Sequence, residues 1–175
     1  NGTCYRLSKN KECHVSQDDN VSAEIPDWSR EQVRSFWDAG PKLLRSIRRY
    51  QTAKKRGGVW AAISARYWVI IHRFWSIVSQ CEIHLHTKIG GGLRIPHPQG
   101  IILHPDVEIG VNCMIFQQVT LSGPVVMGGH VDVGAGAKLM APLRVADHST
   151  IGANAVVTKD VLSGQTVVGV PAKPI

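Results

Sequence analysis

From Leu103 onward, every sixth residue is aliphatic or Met: Ile109, Ile115, Leu121, Met127, Val133, Leu139, Val145, Ile151 and Val157. A shorter run, Ile83, Ile89, Ile95 and Ile101, keeps the same step in another phase. Small residues often follow, as at Gly90, Gly110, Gly134, Ala146 and Gly152. A second small or branched residue recurs four positions on, at Val107, Val119, Ala137 and Ala155. A helix needs apolar residues at threes and fours, and a half-buried strand needs alternation. Strict sixes fit neither. They fit a solenoid in which each six forms one flat side and three sides close a coil, a parallel β-helix. At ~18 residues per coil, residues 82–171 hold about five coils.

The rest of the chain has a different character. It has 175 residues, of which 43% are hydrophobic, a globular composition. The formal charge of +7 is uneven. Up to Gln80 there are 14 Lys/Arg against 7 Asp/Glu, and from Cys81 onward 6 against 6. The excess concentrates in Lys42, Arg45, Arg48, Arg49, Lys54, Lys55 and Arg56. Such a segment is either a solvated helix face or a surface for an anionic partner: lipid head groups, an acidic saccharide or an acidic subunit face. No nucleic-acid recognition motif is present. Cys4, Cys13, Cys81 and Cys113 show no metal-ligand spacing. Cys81 and Cys113 read as core-lining, and Cys4 with Cys13 leaves a disulfide open. No signal-peptide pattern is seen, so the expected setting is a reducing cytoplasm, where the triplets at Asn1 and Asn20 would stay unglycosylated.

Three segments follow: an irregular stretch at 1–26, a helical segment at 27–80 and the β-helix at 81–175. The helical segment reads as three helices. The first is capped by Ser29, with Gln32 three residues on, and stops before Gly40-Pro41. The second starts at Pro41, passes Tyr50 and is broken by Gly57-Gly58. The third covers 59–78, with Ile63, Tyr67, Ile70, Phe74 and Ile77 in one stripe and Ser64, Trp68, Ile71, Trp75 and Val78 in the next. Arg66, His72 and Arg73 at its centre oppose a membrane span. Capping the open end of the solenoid is favoured over lying on a membrane surface.

The repeat changes phase between Ile101 and Leu103, so the turn Pro96-His97-Pro98-Gln99-Gly100 carries extra residues. Gly123-Pro124 and Gly128-Gly129 predict a loop leaving the coil between Ser122 and His130. Of eight histidines, His97 is singled out by its place in the phase-breaking turn. Glu82 lies 15 residues earlier, almost one coil, where its carboxylate would orient the imidazole as a base.

Several motifs carry a resemblance. They are Glu82-Ile83-His84, Lys88-Ile89-Gly90, Pro96-His97-Pro98-Gln99-Gly100, Gln118-Val119-Thr120-Leu121-Ser122-Gly123, the stretch Ile151 to Val161 and Val168-Gly169-Val170-Pro171-Ala172-Lys173. Together they resemble the hexapeptide-repeat acyltransferases, and within them the serine acetyltransferases. The resemblance implies a mainly β fold: a left-handed parallel β-helix after a helical segment, assembled as a trimer or a dimer of trimers. It implies an acyltransferase moving acetyl from acetyl-CoA, as cosubstrate and without a metal, to a hydroxyl, that of serine in cysteine biosynthesis. His97 matches the catalytic base, Glu82 its acidic partner and Gly123 the glycine whose amide faces the developing oxyanion. His130 matches an acceptor-site histidine. Ala135, Ala153, Thr158, Lys159 and Lys173 match coenzyme A contacts.

Two positions depart from the family pattern. Pro96 stands where an acid usually precedes the histidine, and Gly129 where an arginine pairs with the acceptor carboxylate. A saccharide hydroxyl in surface polysaccharide synthesis is therefore the rival acceptor, and a non-catalytic assembly scaffold is the reading from another class.

Overall fold

The fold is that of a computed structural model, described over residues 21–175. The readings for Cys4, Cys13 and the two glycosylation triplets lie outside the described residues, as does most of the stretch 1–26.

The repeat closes into a three-sided parallel solenoid. One face stacks strands Glu82–Ile83, Ile102–Leu103, Thr120–Ser122, Lys138–Met140 and Val156–Val157. The second stacks Lys88–Ile89, Glu108–Ile109, Val125–Met127 and Leu143–Val145. The third stacks Met114–Ile115, Asp132–Val133, Thr150–Ile151 and Thr166–Val168, closed by the antiparallel Lys173–Pro174. The sixth-residue positions all point inward: Ile83, Leu103, Leu121, Leu139 and Val157 form one buried column, each at most 2% exposed. The second inward position fills the corners, with Ile101, Val119, Ala137 and Ala155 fully buried. Cys81 and Cys113 are free and buried in these columns. Burial pushes both thiols up to about 12, which leaves them unreactive.

Register reports the length of each coil. Leu103 pairs with Leu121 and Ile109 with Met127, a spacing of 18, but Ile83 pairs with Leu103, a spacing of 20. Ile102 N–H already bonds Val119 O, so the two extra residues fall in the His97 turn, as the phase break predicts. The predicted loop at 122–130 does not leave the coil. Only Gly123 and Pro124 separate two strands there, and the 18-residue register passes through unbroken. The glycines have a steric cause instead. A Cβ on Gly110 would run into the backbone of Gly128, and one on Gly128 into Asp147. Two corners also stack residues of positive φ: Gly100, Gln118, Gly136 and Asn154 at one, and Gly92, Asn112, His130 and His148 at another.

Helix α1 (Ala39–Arg56) and helix α2 (Val59–Ser79) precede the solenoid, separated by Gly57 and Gly58 at positive φ. The first predicted helix is only a 3-10 turn, Trp28–Glu31, capped by Asp27 rather than Ser29. The Ser29 hydroxyl and then its N–H, at 2.9 Å, hydrogen-bond the Asp27 carboxylate and hold its pKa below the usual range. It is α1, not α2, that closes the open first coil. Leu43, Leu44 and Ile47 are at most 1% exposed and join the solenoid core. Each such burial contributes roughly 1.5–3 kcal/mol. From α2 only Trp75 joins that core cluster as a buried residue. The stripe Ile63, Tyr67, Ile70, Phe74 and Ile77 faces outward, each residue at least 51% exposed.

Polar contacts fix this cap. Arg48 of α1 donates to Ile89 O at 2.5 Å and Gly90 O at 2.6 Å, and pairs with Glu31 at 2.8 Å. Glu31 in turn accepts from Gly92 N–H at 2.9 Å. The Asn112 side chain accepts from Asp27 N–H and donates to Ser22 O and Ile25 O, strapping residues 22–27 to the solenoid corner. His72 is buried between the helices, its Nδ1 3.1 Å from Ser46 Oγ. Burial depresses its pKa. The unfolded chain therefore takes up this proton before the folded one does. The stabilising effect is complete above the ordinary imidazole range and is lost as pH falls through it toward the lower folded value. Urea unfolding at a series of pH values should show stability falling on acidification through that window, with a smaller fall in His72→Leu.

Candidate active site

His97 is exposed on the edge between the third and first faces, held in the long turn by Pro96 and Pro98. Around it opens a cavity of about 390 Å³ lined by Gln80, Gln99, Gly100, Gln117 and Gln118. The backbone packs this turn from both sides. Gly100 N–H bonds Gln80 O at 2.8 Å, and Gln118 N–H bonds Gln99 O at 2.9 Å. Gln117 Oε1 is buried and accepts no hydrogen bond from the described residues. None of these glutamines stood out by residue type. Their signal was position: Gln118 lies 18 residues after Gly100, one coil above it.

Glu82 is the outward residue of the first strand, in a neighbouring cavity of about 790 Å³ beneath α2. The two cavities adjoin, sharing Gln80 and Gly100. The carboxylate and the imidazole do not form an ion pair within the chain. Among the described residues the ion pairs are Arg48–Glu31, Lys88–Glu108 and His104–Asp106. A larger cavity, about 830 Å³, lies between α1 and the second face; the motif Lys88-Ile89-Gly90 lines it, but none of the candidate catalytic, acceptor or cofactor residues does.

The remaining residues spread over the prism. Ala135 and Ala153 stack above the His97 turn on the same edge, linked by Asn154 N–H to Ala135 O at 2.8 Å. The coils meet closely beside them: a Cβ on the adjoining Gly134 would press on Ala153 N at 2.6 Å. Gly123, φ +93°, sits on the edge between the first and second faces, as do the exposed Thr158 and Lys159. Lys159 joins none of the ion pairs of the described residues. Lys173 is exposed on the last, antiparallel strand.

His130 is on the third edge, between the second and third faces. It adopts φ +52°, and its Nδ1 lies 2.9 Å from Nδ1 of His148, so one ring donates and the other accepts. Beside it, Gly129 has a local cause for lacking a side chain. A Cβ there would run into the backbone of Ala23 in the N-terminal strap. An arginine cannot occupy this position while the strap is seated.

Comparison with known proteins agrees with the fold and the motifs. No protein-family model matches the chain. A serine acetyltransferase of Helicobacter pylori strain J99 is 42% identical over 106 residues, covering 56% of this chain and 62% of that protein. One of Mycobacterium tuberculosis is 37% identical over 110 residues, covering 58% of this chain and 48% of that protein. The chain thus spans less than two thirds of the length of these relatives. Among solved structures, serine acetyltransferase from Brucella abortus superposes with a TM-score of 0.67 at 27% identity, covering 78% of this chain and 57% of that one. A serine acetyltransferase in complex with CoA superposes with a TM-score of 0.66 at 28% identity and the same coverage. Over the matched stretch the chain is similar to serine acetyltransferases in sequence and in fold.

Proposed function

We propose that this protein transfers acetyl from acetyl-CoA to the hydroxyl of serine or a serine-like acceptor, with His97 as general base. The observation that carries the reading is His97 itself, placed by a two-residue insertion at the mouth of a cavity, on the edge that carries Ala135 and Ala153. A ring nitrogen of neutral His97 takes the hydroxyl proton as the oxygen attacks the thioester carbonyl. The C–S bond then breaks, and the protonated imidazole returns its proton to the departing sulfur. A thioester is already activated, so alignment, deprotonation and stabilisation of the oxyanion suffice. Glu82 would steady the imidazole, and the Gly123 amide would face the oxyanion. His130 would contact the acceptor.

Coenzyme A would lie along the upper coils, its pantetheine arm against Ala135 and Ala153 and its phosphates toward Thr158, Lys159 and Lys173. Two solved relatives support the ligand classes, one in complex with CoA and one, from soybean, with serine. Lys159→Glu should weaken CoA binding by about tenfold or more in calorimetric titration, a change of ~1.4 kcal/mol. An unchanged affinity would place the phosphates elsewhere.

The protein acts as a homotrimer in this reading. One chain carries His97, Gly123 and His130 on three different edges, so these residues would meet only across contacts between copies. Light scattering that found only monomer under assay conditions would remove this part. A saccharide acceptor is the second reading, and Gly129 beneath Ala23 favours it by removing a cation from the acceptor side. Thiol release from acetyl-CoA with serine, homoserine and a panel of sugars separates the two. Absence of release with every hydroxyl would leave the scaffold reading.

A further inference from the structure

Helix α2 carries a continuous apolar face that nothing in the described chain covers. Trp60 is 84% exposed, Ile77 78%, Ile70 67%, Tyr67 55%, Ile63 53% and Phe74 51%. Successive spacings of three and four put them on one stripe, about 30 Å long from Val59 to Val78. Isolated exposed hydrophobics are ordinary, but a contiguous stripe of this length marks a contact surface. The opposite side of α2, through Ala65, His72, Trp75 and Ser79, is the buried one.

Charge decides the occupant. From Ala39 to Gln80 there are nine Lys/Arg and no Asp/Glu. Arg66 and Arg73 are exposed and run along one edge of the stripe, each three residues after one of its isoleucines and four before the next. Lys54, Lys55 and Arg56 are exposed in the last turn of α1, just before α2 begins. A second copy docking by this same face would bring like charges together. An apolar stripe with Trp, Tyr and Phe, edged by arginines, suits the boundary between anionic head groups and acyl chains. No helix among the described residues is long and apolar enough to cross a membrane, so α2 would lie in the plane.

We propose that the outer face of α2 docks this protein onto an anionic lipid bilayer. The proposal rests on α2 and does not depend on the chemistry assigned to His97. The test is flotation of the full chain with phosphatidylcholine vesicles, with and without phosphatidylglycerol. The wild type should float with the anionic vesicles at least tenfold more strongly than with the neutral ones, and raised salt should weaken the binding. Ile63→Ser, Ile70→Ser and Phe74→Ser combined should lower binding at least tenfold, as should Arg66→Glu with Arg73→Glu, at unchanged circular dichroism. Trp60 fluorescence should shift to the blue on binding, a shift lost in Trp60→Phe. Failure of the wild type to float with anionic vesicles would overturn the proposal. So would serine variants that bind vesicles normally but change the oligomeric state in light scattering, which would make the stripe a subunit contact.

Discussion

His97→Ala should fold, bind acetyl-CoA almost as the wild type does, and turn over roughly 10²–10⁴ more slowly on its true acceptor. The size follows from losing the group that takes the hydroxyl proton, while the contacts of the upper coils remain. His97 is exposed and belongs to no core column, so its removal leaves the solenoid packing intact. Glu82→Gln should lower turnover less, because it loosens the base without removing it. Activity per folded molecule, with folding checked by circular dichroism, separates this role from turn filling. A residue that only filled the turn between prolines would give an unstable variant with normal turnover in whatever folds.

Arg48→Ala should lose about 3 kcal/mol of stability, while its neighbour Arg49→Ala should stay within about 0.5 kcal/mol of wild type. The two are adjacent cations on α1 with opposite surroundings. Arg49 is exposed, and Arg48 reaches two solenoid carbonyls and the Glu31 carboxylate, whose side chain is only 10% exposed. Removing the guanidinium leaves that carboxylate only the N–H groups of Gly92 and Leu93, without a countercharge, and frees both carbonyls. Arg48→Lys should recover only part of the loss, since an ammonium cannot span the same fork. Urea denaturation checks the pair. The midpoint should fall for Arg48→Ala at an unchanged slope. Equal midpoints for the two alanine variants would contradict the account of the cap. Neither variant should alter the chemical step, because α1 lines neither the His97 nor the Glu82 cavity.

The solenoid was legible because its inward positions recur at a fixed step, from Ile83 to Val157, and each lands in a buried column. The extra residues at Pro96–Gly100 were legible as a phase change for the same reason. The destination of α2's apolar face was not. Periodicity reveals that a helix has an apolar stripe but not what covers it, and here two adjacent stripes divide. Trp75 turns inward while Ile70 and Phe74 turn outward. Arg48 read as one of a run of surface cations, because its partners at Glu31, Ile89 and Gly90 are distant in sequence. The glycines between Ser122 and His130 read as a loop, although Gly128 is set by contact with the coil above. At the site, His97 was legible from its turn. The glutamine lining was not, since Gln80, Gln99 and Gln117 meet only when coils stack.

The central claim is acetyl transfer at His97, and the direct measurement is product analysis after incubating the protein with acetyl-CoA and serine. Mass spectrometry and free-thiol titration would follow the two products together. The account predicts acetylated serine and free CoA in equal amounts with the wild type, and both reduced in parallel in His97→Ala. Free CoA without an acetylated acceptor, or equal yields from the folded His97→Ala variant, would contradict it.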